Sequence, residues 1–167
     1  MRSFLLSALK KKFESTTQAA FLEVHGHDWL VWEPGAGWNP PAKITLAGAM
    51  RAVPTKGATL SGEALAVALE PRKDGQPIVV GRSDCDFIVN DGTVSLRHLQ
   101  FIYDGFRWTV ADLGSRNGSK LDGLKLGEKA EPLFNGAELV IGSVNLTYYL
   151  PNGMYERLLL KTPPTKR

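Results

Sequence analysis

The chain has 167 residues, 43% hydrophobic and 22% charged, a globular composition sufficient for one core with an extension. A net charge of +3 and a pI near 9.0 are only mildly basic, without the concentrated Lys/Arg stripe of a dedicated nucleic-acid binder, so nucleic acid is not the expected partner. The single cysteine, Cys85, excludes an internal disulfide framework and a Cys-based zinc cluster and suits a reducing compartment, and no apolar run approaches the roughly 20 residues of a membrane span.

Residues 3–13 gather Phe4, Leu5, Ala8, Leu9 and Phe13 on one helical face and leave Lys10, Lys11 and Lys12 on another, which predicts a short amphipathic helix. Its apolar stretch is shorter than a signal-peptide core of about 7–15 residues, and lysines stand where a cleavage site would be, so a cytoplasmic location is expected. One basic cluster gives weak membrane affinity, which leaves this helix to cover apolar surface of its own chain. Ser15-Thr16-Thr17-Gln18 reads as a capping box for a second helix over 19–25, with Gly26 as its C-cap. His25, His27 and Asp28 straddle that cap and would need ligands from elsewhere to hold a metal, so no metal is expected. Trp29-Leu30-Val31-Trp32 is strand-like. Residues 1–33 are thus expected as a separate or docked N-terminal extension of short helices. Residues 34–62, rich in Gly, Pro, Ala, Ser and Thr, read as a linker to a main domain over 63–151.

Within that domain Leu65, Val67 and Leu69 alternate, predicting a strand, and Asp74-Gly75 supplies a hairpin signal before Ile78-Val79-Val80. Further period-2 runs follow at 86–89, 98–103, 107–113, 119–121, 137–141 and 145–150. They are punctuated by Asp91-Gly92, Asp104-Gly105, Asp122-Gly123 and Asn135-Gly136, the pattern of an all-β sandwich or barrel. After Asn152-Gly153 a tail over 152–167 carries Tyr155, Leu158 and Leu159 on one helical face before Pro163-Pro164, predicting a short C-terminal helix.

Three polar turns interrupt residues 79–118: Gly81-Arg82-Ser83, Ser95-Leu96-Arg97-His98 and Ser115-Arg116-Asn117-Gly118. Arginine forks, a hydroxyl and an amide on such turns are the groups that grip a phosphate and a peptide backbone. Gly81-Arg82, then Ser95-x-x-His98, then Asn117-Gly118 in this order resemble the forkhead-associated (FHA) family of phosphothreonine-binding domains, over roughly residues 63–151. The resemblance implies an all-β, FHA-like (SMAD/FHA) sandwich whose binding loops cluster at one end, here with a partly helical N-terminal extension and a short C-terminal helix. It implies that Arg82 and Ser95 contact the phosphate, that Arg97 adds a basic contact, and that Asn117 holds the peptide main chain with Arg116 beside it. Thr93 sits where relatives select the ligand residue three beyond the phosphothreonine. Leu96 occupies a position where many members carry a polar or basic side chain. Gly81, His98 and Gly118 would support the loops. The implied function is a phosphothreonine-dependent adaptor in Ser/Thr kinase signalling, whose partner is a kinase or its substrate. The alternative is a phosphate-independent interaction scaffold on the same fold. No nucleophile elbow, metal cluster or Gly-rich nucleotide loop is present, so neither an enzyme nor a cofactor is expected; a hydrolase would have to recruit His98 and Asp112.

Overall fold

A computed structural model of the protein describes residues 2–32, 64–89 and 91–160; the expected linker at 34–62 lies outside them. In chain order the elements are β1 (Ser3–Leu5), α1 (Leu6–Phe13), α2 (Gln18–His25), β2 (Asp28–Trp32), β3 (Leu65–Leu69), β4 (Ile78–Gly81), β5 (Phe87–Ile88), β6 (Leu99–Tyr103), β7 (Trp108–Asp112), β8 (Ser119–Leu121), β9 (Leu124–Leu126), β10 (Glu131–Pro132), β11 (Glu138–Ile141), β12 (Val144–Tyr149) and α3 (Pro151–Leu159). The strands form a seven-stranded sheet in the order β1-β3-β2-β12-β11-β8-β9, facing a five-stranded sheet in the order β10-β7-β6-β4-β5.

Two cores result. Between the sheets, Leu30, Trp32, Val67 and Leu69 meet Val80, Leu99, Phe101 and Val110. On the outer face of the large sheet, Trp29, Val31, Ala66 and Ala68 lie under Leu6, Leu9, Phe13, Phe21, Met154 and Leu158 from the three helices. β2 and β3 are therefore covered on both faces, which is why they read as near-continuous apolar runs, whereas β12 alternates buried and half-buried residues.

Residues 1–33 are expected as a separate or docked extension of short helices, with 29–32 strand-like. β2 is instead an internal strand, pairing with β12 (Trp29↔Tyr149) on one side and with β3 (Trp32↔Leu65) on the other. β1 takes the first residues of the expected helix, with Ser3 opposite Val67 and Leu5 opposite Leu65, because an open edge of β3 offers backbone partners that three residues of helix would not need. α2 starts within a residue of the expected 19–25, but its N-cap is Thr17, whose Oγ1 accepts from the Ala20 N–H at 3.3 Å, rather than the Ser15 of a Ser15-x-x-Gln18 box. The Asp74-Gly75 turn exists, with the Gly75 N–H bonded to the Arg72 carbonyl, but it makes no hairpin. It carries the chain from one sheet to the other, so β3 pairs with β1 and β2 while β4 pairs with β6 and, in parallel, with β5. α3 begins at Pro151, whose fixed φ suits a first helical turn.

Strand directions sort the connections to two poles. At one, Gly81 ends β4, Leu99 begins β6, Asp112 ends β7, Ser119 begins β8, and β11 turns into β12. At the other lie the β6–β7 turn, the start of β2 and the end of β12.

Candidate functional site

The first pole is held together by backbone bonds between distant segments. Gly81 approaches the β5–β6 loop so closely that a Cβ would stand 2.1 Å from the Leu96 carbonyl oxygen, so only glycine fits. The next residues continue the contact, the Arg82 N–H donating to the Ser95 carbonyl at 2.8 Å and the Ser83 N–H to the Leu96 carbonyl at 3.4 Å. His98, fully buried, is the joint between loops: its Nδ1 accepts from the Ser95 N–H at 3.0 Å, and Nε2 donates to the Gly118 carbonyl at 3.2 Å. Gly118 has φ +72°, a conformation that places this carbonyl at little steric cost. With both ring nitrogens held by backbone, His98 is a brace and is not available as a general base.

The polar groups expected to meet a ligand surround this frame. The Ser95 hydroxyl oxygen accepts from the Arg116 N–H at 3.0 Å, which leaves its proton free to donate. Arg82, Arg97 and Arg116 are exposed, and among the described residues their guanidinium groups make no hydrogen bond or ion pair. Asn117 donates from Nδ2 to the Thr93 carbonyl at 2.7 Å, keeping Oδ1 open as an acceptor. Leu96 is 56% exposed, while Val94 two residues earlier is buried in the main core.

Two further groups were not read from the sequence in this role. Asp112 accepts from the Ser115 N–H and hydroxyl, both at 2.7 Å, and from the Ser119 hydroxyl, clasping the loop that carries Arg116 and Asn117. Burial pushes the Asp112 pKa up, but these hydrogen bonds outweigh it and hold the carboxyl below its usual range. The His98 Nε2 lies 3.9 Å from this carboxylate, beyond a hydrogen bond. Thr93 joins a third loop: its hydroxyl bonds Asp91 and accepts from the Ser143 N–H at 2.8 Å, and its own N–H donates to Asp91 at 2.8 Å. The Asp-x-x-Ser spacing at 112–115 was a legible turn signal; the Thr93–Ser143 link, fifty residues apart, was not. The Cys85 thiol donates to the Leu96 and Ser83 carbonyls at 2.9 and 3.0 Å, and burial pushes its pKa up, the opposite of an activated nucleophile. Among the described residues no three His, Cys, Asp or Glu side chains converge as a metal site.

The sequence profile of the FHA domain matches residues 78–142. FHA domain-containing protein FhaB of Mycobacterium tuberculosis is 40% identical over 52 residues, 30% of this chain and 34% of that protein. The oxoglutarate dehydrogenase inhibitor of Corynebacterium jeikeium is 34% identical over 76 residues, 45% of this chain and 51% of that protein. The chain thus matches about a third to a half of the length of these curated relatives. The fold is similar to the N-terminal FHA domain of S. cerevisiae Rad53p, solved with a phosphothreonine peptide, at a TM-score of 0.51 and 15% identity over 78% of this chain and 98% of that one. Residues 78–142 thus match the profile of the FHA domain, and the chain is similar in fold to a solved FHA domain.

Proposed function

We propose that this protein is a non-enzymatic adaptor that binds a phosphothreonine segment of a partner protein, itself a Ser/Thr kinase or a kinase substrate. The observation that carries the reading is one pole of the sandwich that bears the Ser95 hydroxyl, whose oxygen accepts from the Arg116 N–H, together with the exposed Arg82, Arg97 and Arg116, whose guanidinium groups make no hydrogen bond or ion pair among the described residues. Arg82 and Ser95 hold the phosphate, in charge-assisted bonds of about 1.5–3 kcal/mol each. Arg97 and Arg116 flank them, the open Oδ1 of Asn117 accepts from the peptide main chain, and Thr93 and Leu96 border the residues that follow. Gly81, His98 and Gly118 hold the three loops in register. A phosphothreonine peptide bound to the yeast relative supports the assignment by analogy of fold. We include residues 2–32 in the binding unit with 63–151, since β2 lies between β3 and β12. The reading implies a cytoplasmic setting, where kinases meet ATP; no helix among the described residues is long and apolar enough to cross a membrane.

The test is an oriented phosphothreonine peptide library screened against the wild-type chain and Arg82→Ala. Selection of phosphorylated sequences by the wild type alone supports the reading. Equal retention of unphosphorylated peptides would replace it with a phosphate-independent scaffold.

A further inference from the structure

The pole opposite the arginine loops holds a cavity of about 510 Å³, formed where the β6–β7 turn and the segment before β11 meet the start of β2. Its walls are aromatic: Tyr103, Phe106, Trp108, Phe134 and Tyr148 all line it. Two of them sit at its mouth in water, Phe106 at 92% and Phe134 at 60% exposure, and the core needs neither there. Asp28 also lines it, and its carboxylate takes a hydrogen bond from the Tyr148 hydroxyl and, among the described residues, has no ion pair. Burial pushes the Asp28 pKa up, against the opposing pull of the Tyr148 bond, the mark of a carboxylate without a compensating cation.

The cavity's own basic groups do not supply that cation. His27 is pushed by burial to a pKa of about 4, so it is uncharged at neutral pH. Arg107 lies over the Phe134 ring, 6.0 Å from its centroid, and makes no ion pair with Asp28. Aromatic faces carry negative charge density, and rings around a carboxylate complement a cation on an apolar stem. We propose that this cavity receives a lysine or arginine side chain of a partner protein, its aliphatic stem between Phe106 and Phe134 and its charge at Asp28. The site lies at the far end of the sandwich from Arg82 and Ser95, so one chain can hold a phosphorylated segment and a basic segment at once.

Titration of the full-length, ¹⁵N-labelled protein with Nα-acetyl-lysine methylamide and Nα-acetyl-arginine methylamide tests the proposal, with Nα-acetyl-norleucine methylamide, which keeps the lysine stem and lacks its ammonium, as the uncharged control. Saturable shifts at residues 26–28, 103–108 and 133–135 are expected for at least one cationic probe, with norleucine at least ~10-fold weaker. Asp28→Asn, and independently Phe106→Ala on the exposed turn, should each weaken the cationic probe at least ~5-fold, while the affinity for a phosphothreonine peptide stays unchanged. Absence of saturable shifts for both cationic probes overturns the proposal, as does norleucine binding as tightly as lysine or a Phe106→Ala protein that binds as the wild type does. Because the readout is confined to this pole, failure here leaves the phosphate site untouched.

Discussion

His98→Ala should damage stability and peptide binding together, because one imidazole holds two loops. The side chain is fully buried, and its removal leaves the Ser95 N–H without its acceptor and the Gly118 carbonyl with only the long bond from the Gly142 N–H at 3.5 Å. The orphaned, part-buried Ser95 N–H costs about 1–3 kcal/mol, to which the lost Gly118 bond adds about 1 kcal/mol and the emptied imidazole site a cavity contribution. That is a large share of the ~5–15 kcal/mol that holds a domain folded. Urea unfolding should show the midpoint falling with little change in slope, and peptide affinity measured under folding conditions should fall too, since Ser95 loses one of the bonds that position it. His98→Asn keeps an acceptor near the Nδ1 position and loses only the Gly118 bond, so it should lie between the two. A His98→Ala protein with the wild-type midpoint would refute the bracing role.

Asp112 has its folded pKa depressed, so its contribution is fully present above the ordinary carboxyl value and is lost as pH falls through the folded one. Asp112→Asn should therefore lose the part of the acid destabilisation that the wild type shows below about pH 4; identical acid limbs would contradict the assignment. Deleting residues 1–60 removes four buried residues of an internal strand, Trp29, Leu30, Val31 and Trp32. At about 1.5–3 kcal/mol each, that loss rivals the stability of the domain, so a chain starting at Ser61 should show no cooperative thermal transition by circular dichroism. A transition at the wild-type temperature would make the segment an independent arm. Phosphothreonine should bind better than phosphoserine in the same peptide, since burying one methyl is worth ~0.8 kcal/mol, about fourfold in affinity, and an empty methyl pocket adds to it. Equal affinities by calorimetry would reduce the interaction to simple phosphate capture.

Most strands of the domain were legible because their alternation and turns are local in the chain; 98–103 and 137–141 each fall within a residue of β6 and β11. The place of β2 was not, because its partners β3 and β12 are distant in sequence and its two buried faces erase the alternation that marks a strand. β9 and β10, three and two residues long, are too short to show a period. Asp74-Gly75 misled for a physical reason: the dipeptide specifies a tight turn but not which sheet the following strand joins. At the site, Gly81-Arg82, Ser95-x-x-His98 and Asn117-Gly118 could be found one at a time. The bonds tying Thr93 to Ser143, and Asp112 to Ser115 and Ser119, required the loops to be brought together.

The central claim is that Arg82 and its neighbours read a phosphate, and calorimetry with one library-selected peptide tests it most directly. The peptide is measured in phosphorylated and unphosphorylated form against the wild type and Arg82→Ala, with unfolding curves to show that both proteins are folded. The account predicts binding of the phosphorylated form only, and a loss of at least ~2 kcal/mol, about 30-fold in affinity, when the guanidinium is removed. An Arg82→Ala protein that binds as tightly as the wild type, or an unphosphorylated peptide that binds equally well, would contradict it.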